Sequence, residues 1–166
     1  REVARKLSVF DVKLKAYDLY PNEAAAKELG VEMVSQEEVI ETCDIVSLHA
    51  PATKENYHLF GADTFSRMKD GSYLINAARG ALVNLDELAA ALNSGKLSGA
   101  ALDAFETEPL PSDAAILTCK NVVLTPHTGA ETRQAYHKVS MAAAQNVIDA
   151  LDGREPQFWV NRERKE

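Results

Sequence analysis

The chain predicts an α/β fold built on a doubly wound parallel sheet, and three observations carry that prediction. Strand-like apolar runs alternate with helical patterns along its length, the signature of a parallel sheet covered by helices on both faces. A hydrophobic content of 46% over 166 residues is enough to bury one core, and so predicts one domain. Polar residues of chemical interest stand just after apolar runs, above all Arg79, Glu108 and His127. Ligands of an open parallel sheet bind beyond the carboxyl ends of its strands.

The elements follow in order. Residues 1 to 7 read as a helix, entered at once. Strands are expected from Leu14 to Asp18, Val31 to Val34, Asp44 to His49, Ser72 to Asn76, Ala100 to Ala104 and Val122 to Thr125. Ala24 to Ala26 and Ala142 to Ala144 are good helix formers. Ser35 followed by Glu38 makes a capping box before Val39 and Ile40, and Asn84 followed by Glu87 resembles another before Leu88 and Leu92. Gly95 is placed to end that second helix. Val139, Ala143, Val147 and Leu151 recur every four residues, which makes one apolar stripe on a last helix closed by Gly153. No internal repeat or low-complexity segment interrupts the pattern.

Charge and composition narrow the function. A net charge of −7 argues against nonspecific nucleic-acid binding. Basic residues are scattered except at the end, where Arg162, Arg164 and Lys165 alternate with acids and read as a solvated tail. No ligand-like spacing links Cys43, Cys119, His49, His58 and His137, so no metal site is expected. Two cysteines without a disulfide framework fit a reducing compartment. No stretch is apolar and long enough to span a bilayer, and the start carries no signal-peptide pattern. The cytoplasm is the expected location.

Three segments carry the chemistry: Leu74-Ile75-Asn76-Ala77-Ala78-Arg79-Gly80, Ala101-Leu102-Asp103-Ala104-Phe105-Glu106-Thr107-Glu108-Pro109, and Val122-Val123-Leu124-Thr125-Pro126-His127-Thr128-Gly129. Arg79 can grip a carboxylate through two parallel hydrogen bonds, a geometry Lys cannot copy. His127 is of the residue type that exchanges a proton near neutrality at a hydroxyl or carbonyl oxygen. Glu108 can accept a bond from the other ring nitrogen, fixing the tautomer and favouring the charged imidazole. Taken singly, an Arg-Gly is usually a turn and a Glu before Pro a solvated loop end. Their joint occurrence in order is what distinguishes them.

These segments, with Ser47-Leu48-His49-Ala50-Pro51-Ala52-Thr53 and Asn56, resemble the successive signatures of the D-isomer-specific 2-hydroxyacid dehydrogenases, whose cofactor domain is Rossmann-like. Order and spacing match from the first helix to Val160-Asn161. The resemblance implies that Arg79 binds and orients the substrate carboxylate, His127 is the acid/base and Glu108 supports it. It also implies NAD contacts from Asp18, Ala50, Pro51, Asn56, Ala77, Ala78, Arg79, Asp103 and His127, with Asp103 meeting the nicotinamide amide. The implied substrate is a small 2-hydroxy or 2-keto acid, and the implied assembly a homodimer paired through cofactor-binding domains. Asp18 points to NAD over NADP, since an acid at the end of the second strand of such a fold accepts from ribose hydroxyls and repels a 2′-phosphate. No Arg or Lys follows it directly, only Leu19, Tyr20 and Pro21.

One departure stands out. A glycine-rich phosphate loop is expected roughly 20 residues before that acid, yet no glycine precedes Asp18. The expectation is therefore a chain that begins inside the fold, without its first strand and loop, and that alone has little activity. Residues 1–153 would form the NAD-binding domain, and 154–166 a tail leading towards a substrate domain. Asn84 also stands where the family often has Asp, though either residue caps a helix. Two other functions share the pattern. The C-terminal-binding-protein corepressors have this fold and these motifs and use dinucleotide mainly to control assembly. Formate oxidation by a related family pairs the His with Gln, and Glu108 speaks against it.

Overall fold

The structure, a computed structural model, describes residues 1–159. Val160, Asn161 and the charged residues Arg162, Arg164 and Lys165 lie outside the described residues. Two compact units divide the chain, one from Arg1 to His127 and one from Thr128 onward.

The first unit alternates helices and strands as the sequence predicts. Helix α1 (Glu2–Leu7) is followed by β1 (Leu14–Ala16), α2 (Glu23–Glu28), β2 (Val31–Met33), α3 (Gln36–Thr42), β3 (Ile45–Leu48), α4 (Ala62–Arg67), β4 (Ser72–Asn76), α5 (Leu85–Asn93), β5 (Leu97–Leu102) and β6 (Val122–Leu124). Short 3-10 turns cover Gly80–Leu82 and Ala115–Thr118. Every strand pairing is parallel, in two sheets, β1-β2 and β3-β4-β5-β6. Helix α3 serves both sheets: Glu38 accepts from Lys15 Nζ of β1 at 2.6 Å, and Ile40 joins Val46 and Leu48 of β3 in the core.

Both caps form, and each is used differently from the sequence pattern. Ser35 accepts from the Glu38 amide at 3.1 Å and Asn84 from the Glu87 amide at 3.2 Å, satisfying an orphan donor of each helix start. The two glutamates do not reach back. Glu38 holds Lys15, and Glu87 accepts from the Ala62 amide of α4 at 2.6 Å, so the second half of each box becomes a tertiary contact. Gly95, at φ +78°, follows α5 as expected.

The start of β5 corrects the predicted boundary by three residues, from Ala100 to Leu97. Gly99 obscures the early part of that strand. A Cβ there would lie 2.7 Å from Asn121 O and 3.1 Å from the Tyr73 ring, the close approach for which a strand glycine is used. The register against β4 shifts at Ser72/Tyr73.

A second correction concerns the faces of the four-stranded sheet. The core lies on one face, where Leu74, Leu88 and Ile116 are fully buried with Phe65 and Leu97, each worth about 1.5–3 kcal/mol on burial. Residues of the other face are more exposed than the apolar runs predict. Ile45 is 59% exposed, Tyr73 47% and Val123 63%; Ile45 and Tyr73 are register partners. Accordingly β4 alternates buried and exposed residues, as a sheet packed on a single side does.

The second unit contains α6 (Arg133–Leu151), whose first turn is capped by Thr132 accepting from the Ala135 amide at 3.1 Å. Gly153, at φ +70°, follows it. The predicted helix exists, but Val139, Val147 and Leu151 of its apolar stripe are exposed. No described helix is long and apolar enough to cross a membrane.

Candidate active site

In each sheet the parallel pairing brings the carboxyl ends of the strands to a single edge. At the end of β4, Asn76 is wholly buried and shapes the turn that follows. Its Nδ2 donates to Arg79 O at 2.9 Å, and its Oδ1 accepts from the Ala78 amide at 3.0 Å. The turn presents Arg79 to solvent, its Nη1 donating to Ala78 O at 2.7 Å. Among the described residues no carboxylate lies within ion-pair distance of this guanidinium, so it suits an anionic ligand.

Gly80 packs this turn against the loop that follows β5. A Cβ on Gly80 would lie 1.9 Å from the Phe105 carbonyl carbon and 2.2 Å from Glu106 N. Backbone meets backbone there, which any side chain would prevent. The loop carries Glu108, whose Oε1 accepts from the Phe105 amide at 2.9 Å. That bond, and after it the bond from His127, hold the Glu108 carboxyl below the usual carboxylate range. His127 Nδ1 lies 2.9 Å from Glu108 Oε2 and 3.1 Å from Oε1. An ionised carboxylate only accepts, so Nδ1 carries the proton and Nε2 is the ring's acceptor nitrogen. His127 has φ +56°, an uncommon conformation for a non-glycine residue and one that concentrates at functional sites.

Of the three predicted site residues, the structure joins Glu108 to His127 directly, and places Arg79 beside Gly80 on the turn packed against the loop of Glu108. The predicted cofactor contacts are placed as follows. Ala50, Pro51 and Ala77 are exposed and Ala78 half-buried, just after β3 and β4, where small side chains leave the backbone accessible. Asp103 follows β5 and accepts from Thr125 Oγ1 at 2.5 Å. Asp18 follows β1, and its Oδ1 accepts from the Tyr20 amide at 2.8 Å, so the turn before Pro21 uses one oxygen and leaves the other for a hydroxyl. Asn56 is spent on its own loop, donating to Pro51 O at 2.8 Å and accepting from the Thr53 amide at 2.7 Å. Carboxylates facing hydroxyl and amide donors, with small residues between, fit a dinucleotide.

Sequence reasoning missed Asn76 and Thr125 as builders of the site. The signal for Asn76 was an amide closing an otherwise apolar strand; Thr125 had none beyond its neighbour Pro126. Cys43 and Cys119 are free thiols. The described residues include no group of three or more His, Cys, Asp or Glu arranged to hold a metal. His49 Nε2 lies 3.0 Å from Ser47 Oγ, and burial pushes the His49 pKa down.

Comparison with known proteins agrees with this geometry. Residues 1–129 match the family model for the D-isomer specific 2-hydroxyacid dehydrogenase, NAD binding domain. The chain is 41% identical over 161 residues to a glyoxylate reductase of Thermofilum pendens, covering 96% of this chain and 48% of the relative. It is 37% identical to a D-3-phosphoglycerate dehydrogenase of Archaeoglobus fulgidus, covering 96% of this chain and 30% of the relative. The crystal structure of D-lactate dehydrogenase with NAD+ from Lactobacillus jensenii superposes with a TM-score of 0.87 at 28% identity, over 97% of this chain and 52% of that one. The chain thus spans about half the length, or less, of these relatives. Strand order, the strand-end Arg79, Glu108 and His127, and the match over residues 1–129 together show that the chain belongs to the D-isomer specific 2-hydroxyacid dehydrogenase family, in its NAD-binding domain.

Proposed function

We propose that the complete protein is an NAD-dependent oxidoreductase that transfers a hydride between a D-2-hydroxy acid and NAD, reducing the 2-keto acid in reverse. The observation that carries this reading is the Glu108–His127 pair, with its Nδ1–H held by a carboxylate, next to the chain segment that exposes Arg79, which has no carboxylate partner among the described residues. Arg79 takes the substrate carboxylate bidentately and fixes which face of C2 is presented. In oxidation, neutral His127 accepts the hydroxyl proton at Nε2; in reduction, the charged imidazole returns a proton to the carbonyl oxygen. Glu108, kept ionised by the Phe105 amide and His127, stabilises the positive charge as it develops on the ring. The bound dinucleotide supplies the hydride acceptor or donor, with Asp18, Ala50, Pro51, Asn56, Ala77, Ala78 and Asp103 around it. The acid at Asp18, with no cation directly after it, favours NAD.

We assign residues 1–153 to the NAD-binding domain and 154–166 to the link towards a substrate domain. A homodimer is the proposed state, supported by the apolar sheet residues left exposed in this chain, and the cytoplasm is the proposed location. The test is turnover by the complete protein of a panel of 2-keto acids with NADH, and of D- and L-2-hydroxy acids with NAD. D-specific activity supports the reading. NADH binding without turnover of any keto acid would replace it by a dinucleotide-sensing, corepressor-like role.

A further inference from the structure

Two residues before Glu108 the same loop carries a second carboxylate with its own set of partners. Glu106 Oε1 accepts from the Tyr57 hydroxyl at 2.6 Å, and Oε2 lies 2.9 Å from His58 Nε2. The rings of Tyr57 and His58 are stacked, their centroids 3.9 Å apart. His58 takes φ +51°, an unusual backbone for this residue type that the surrounding bonds hold in place. The Tyr57 bond first, and His58 second, keep the Glu106 carboxyl below its ordinary range, so it is ionised at neutrality.

The segment holding Glu106 is also bonded along its backbone to the Arg79 turn. His58 N donates to Ala81 O at 2.8 Å, Phe60 N to Leu82 O at 2.9 Å, and Asn84 N to Phe60 O at 2.9 Å. Gly80 closes the third side, against Phe105 and Glu106. Residues 57–60, 79–84 and 105–108 therefore form one bonded unit, which includes two of the three site residues.

We propose that Glu106 is a positioning residue: gripped by Tyr57 and His58, it latches the Glu108 loop to the Arg79 turn and so fixes the carboxylate-binding guanidinium relative to the His127–Glu108 pair. The inference rests on the proposed dehydrogenase reading. Glu106 acts through Glu108 and Arg79. Small displacements of such groups are costly, since misplacement by about 1 Å can lower a rate on the order of 10²-fold.

The experiment compares Glu106→Ala and Glu106→Gln in the complete protein, each also in a Glu108→Gln background. Glu106→Ala lowers kcat about tenfold and raises KM for the keto acid several-fold, while NADH affinity stays within about twofold. Glu106→Gln keeps an acceptor for Tyr57 and recovers most of the loss. Once Glu108 is already Gln, Glu106→Ala costs less than it does alone, because coupled residues are not additive. Exchange of the Phe105 amide, which is bonded to Glu108, is followed in the same variants and needs no turnover. Faster exchange in Glu106→Ala supports the latch even if no keto acid is reduced, in which case only the dehydrogenase reading fails. Wild-type kcat, KM and Phe105 exchange in Glu106→Ala overturn the latch and leave that reading untouched.

Discussion

Two carboxylates of one loop, Glu106 and Glu108, each meet a histidine from a different segment, and the pairs differ in which ring nitrogen is engaged. His58 meets Glu106 through Nε2, and His127 meets Glu108 through Nδ1, both at 2.9 Å. Both histidines have positive φ, +51° and +56°. The Glu106 carboxylate is shared with a tyrosine hydroxyl and the His58 ring is covered by Tyr57. Glu108 is shared with a backbone amide instead, and the His127 side chain is 48% exposed against 27% for His58. On the proposed reading the same pairing serves as a clamp where Nε2 is spent, and as an acid/base where Nδ1 is held and the ring remains open.

The largest expected effect separates these two pairs. In the complete protein, His127→Ala lowers kcat by roughly 10²–10⁴-fold, the usual worth of general acid–base help, with NADH affinity nearly intact by fluorescence titration. A loss below tenfold would place proton transfer on another group. Arg79→Lys comes next. It keeps the charge and loses the fork, so KM for the keto acid rises steeply and kcat falls. Wild-type kinetics in this variant would reduce Arg79 to a turn residue.

The smallest effect sharpens the electrostatic half of the comparison. The Glu108 carboxyl is held low, first by the Phe105 amide and then by His127. A depressed folded-state pKa means the interaction is fully present above the ordinary glutamate value, about 4.3, and is lost only as pH falls through the lower folded value. The Phe105 amide resonance should therefore titrate with a midpoint below that ordinary value. A midpoint at or above about 4.3 would mean that the carboxylate is not held in this bond.

Much of this was legible in the sequence, for a physical reason. Arg79, Glu108 and His127 stand close after apolar runs, so strand geometry alone sends them to the carboxyl end of the sheet. The latch was not legible. Tyr57 and His58 lie in a loop without periodicity, nearly fifty residues from Glu106 in sequence, and only folding brings them together. The exposed sheet face was misread because β4 inverts its hydropathy: Ser72 and Asn76 are buried while Tyr73 and Ile75 face outward. Asn76 can be buried because its amide is fully occupied by the Arg79 turn. Neither capping glutamate was foreseen as a tertiary contact, since a capping-box pattern gives no sign of a competing donor on another element.

On the proposed reading Glu108 holds His127 ready for proton transfer, and keto-acid reduction by Glu108→Gln, set beside wild type in the complete protein, is the sharpest check. The amide can still meet Nδ1 of His127 but lacks the negative charge that stabilises a positive ring as it forms. Glu108→Gln should lower kcat by about tenfold or more, with NADH affinity unchanged. A wild-type kcat in this variant would remove Glu108 from that role.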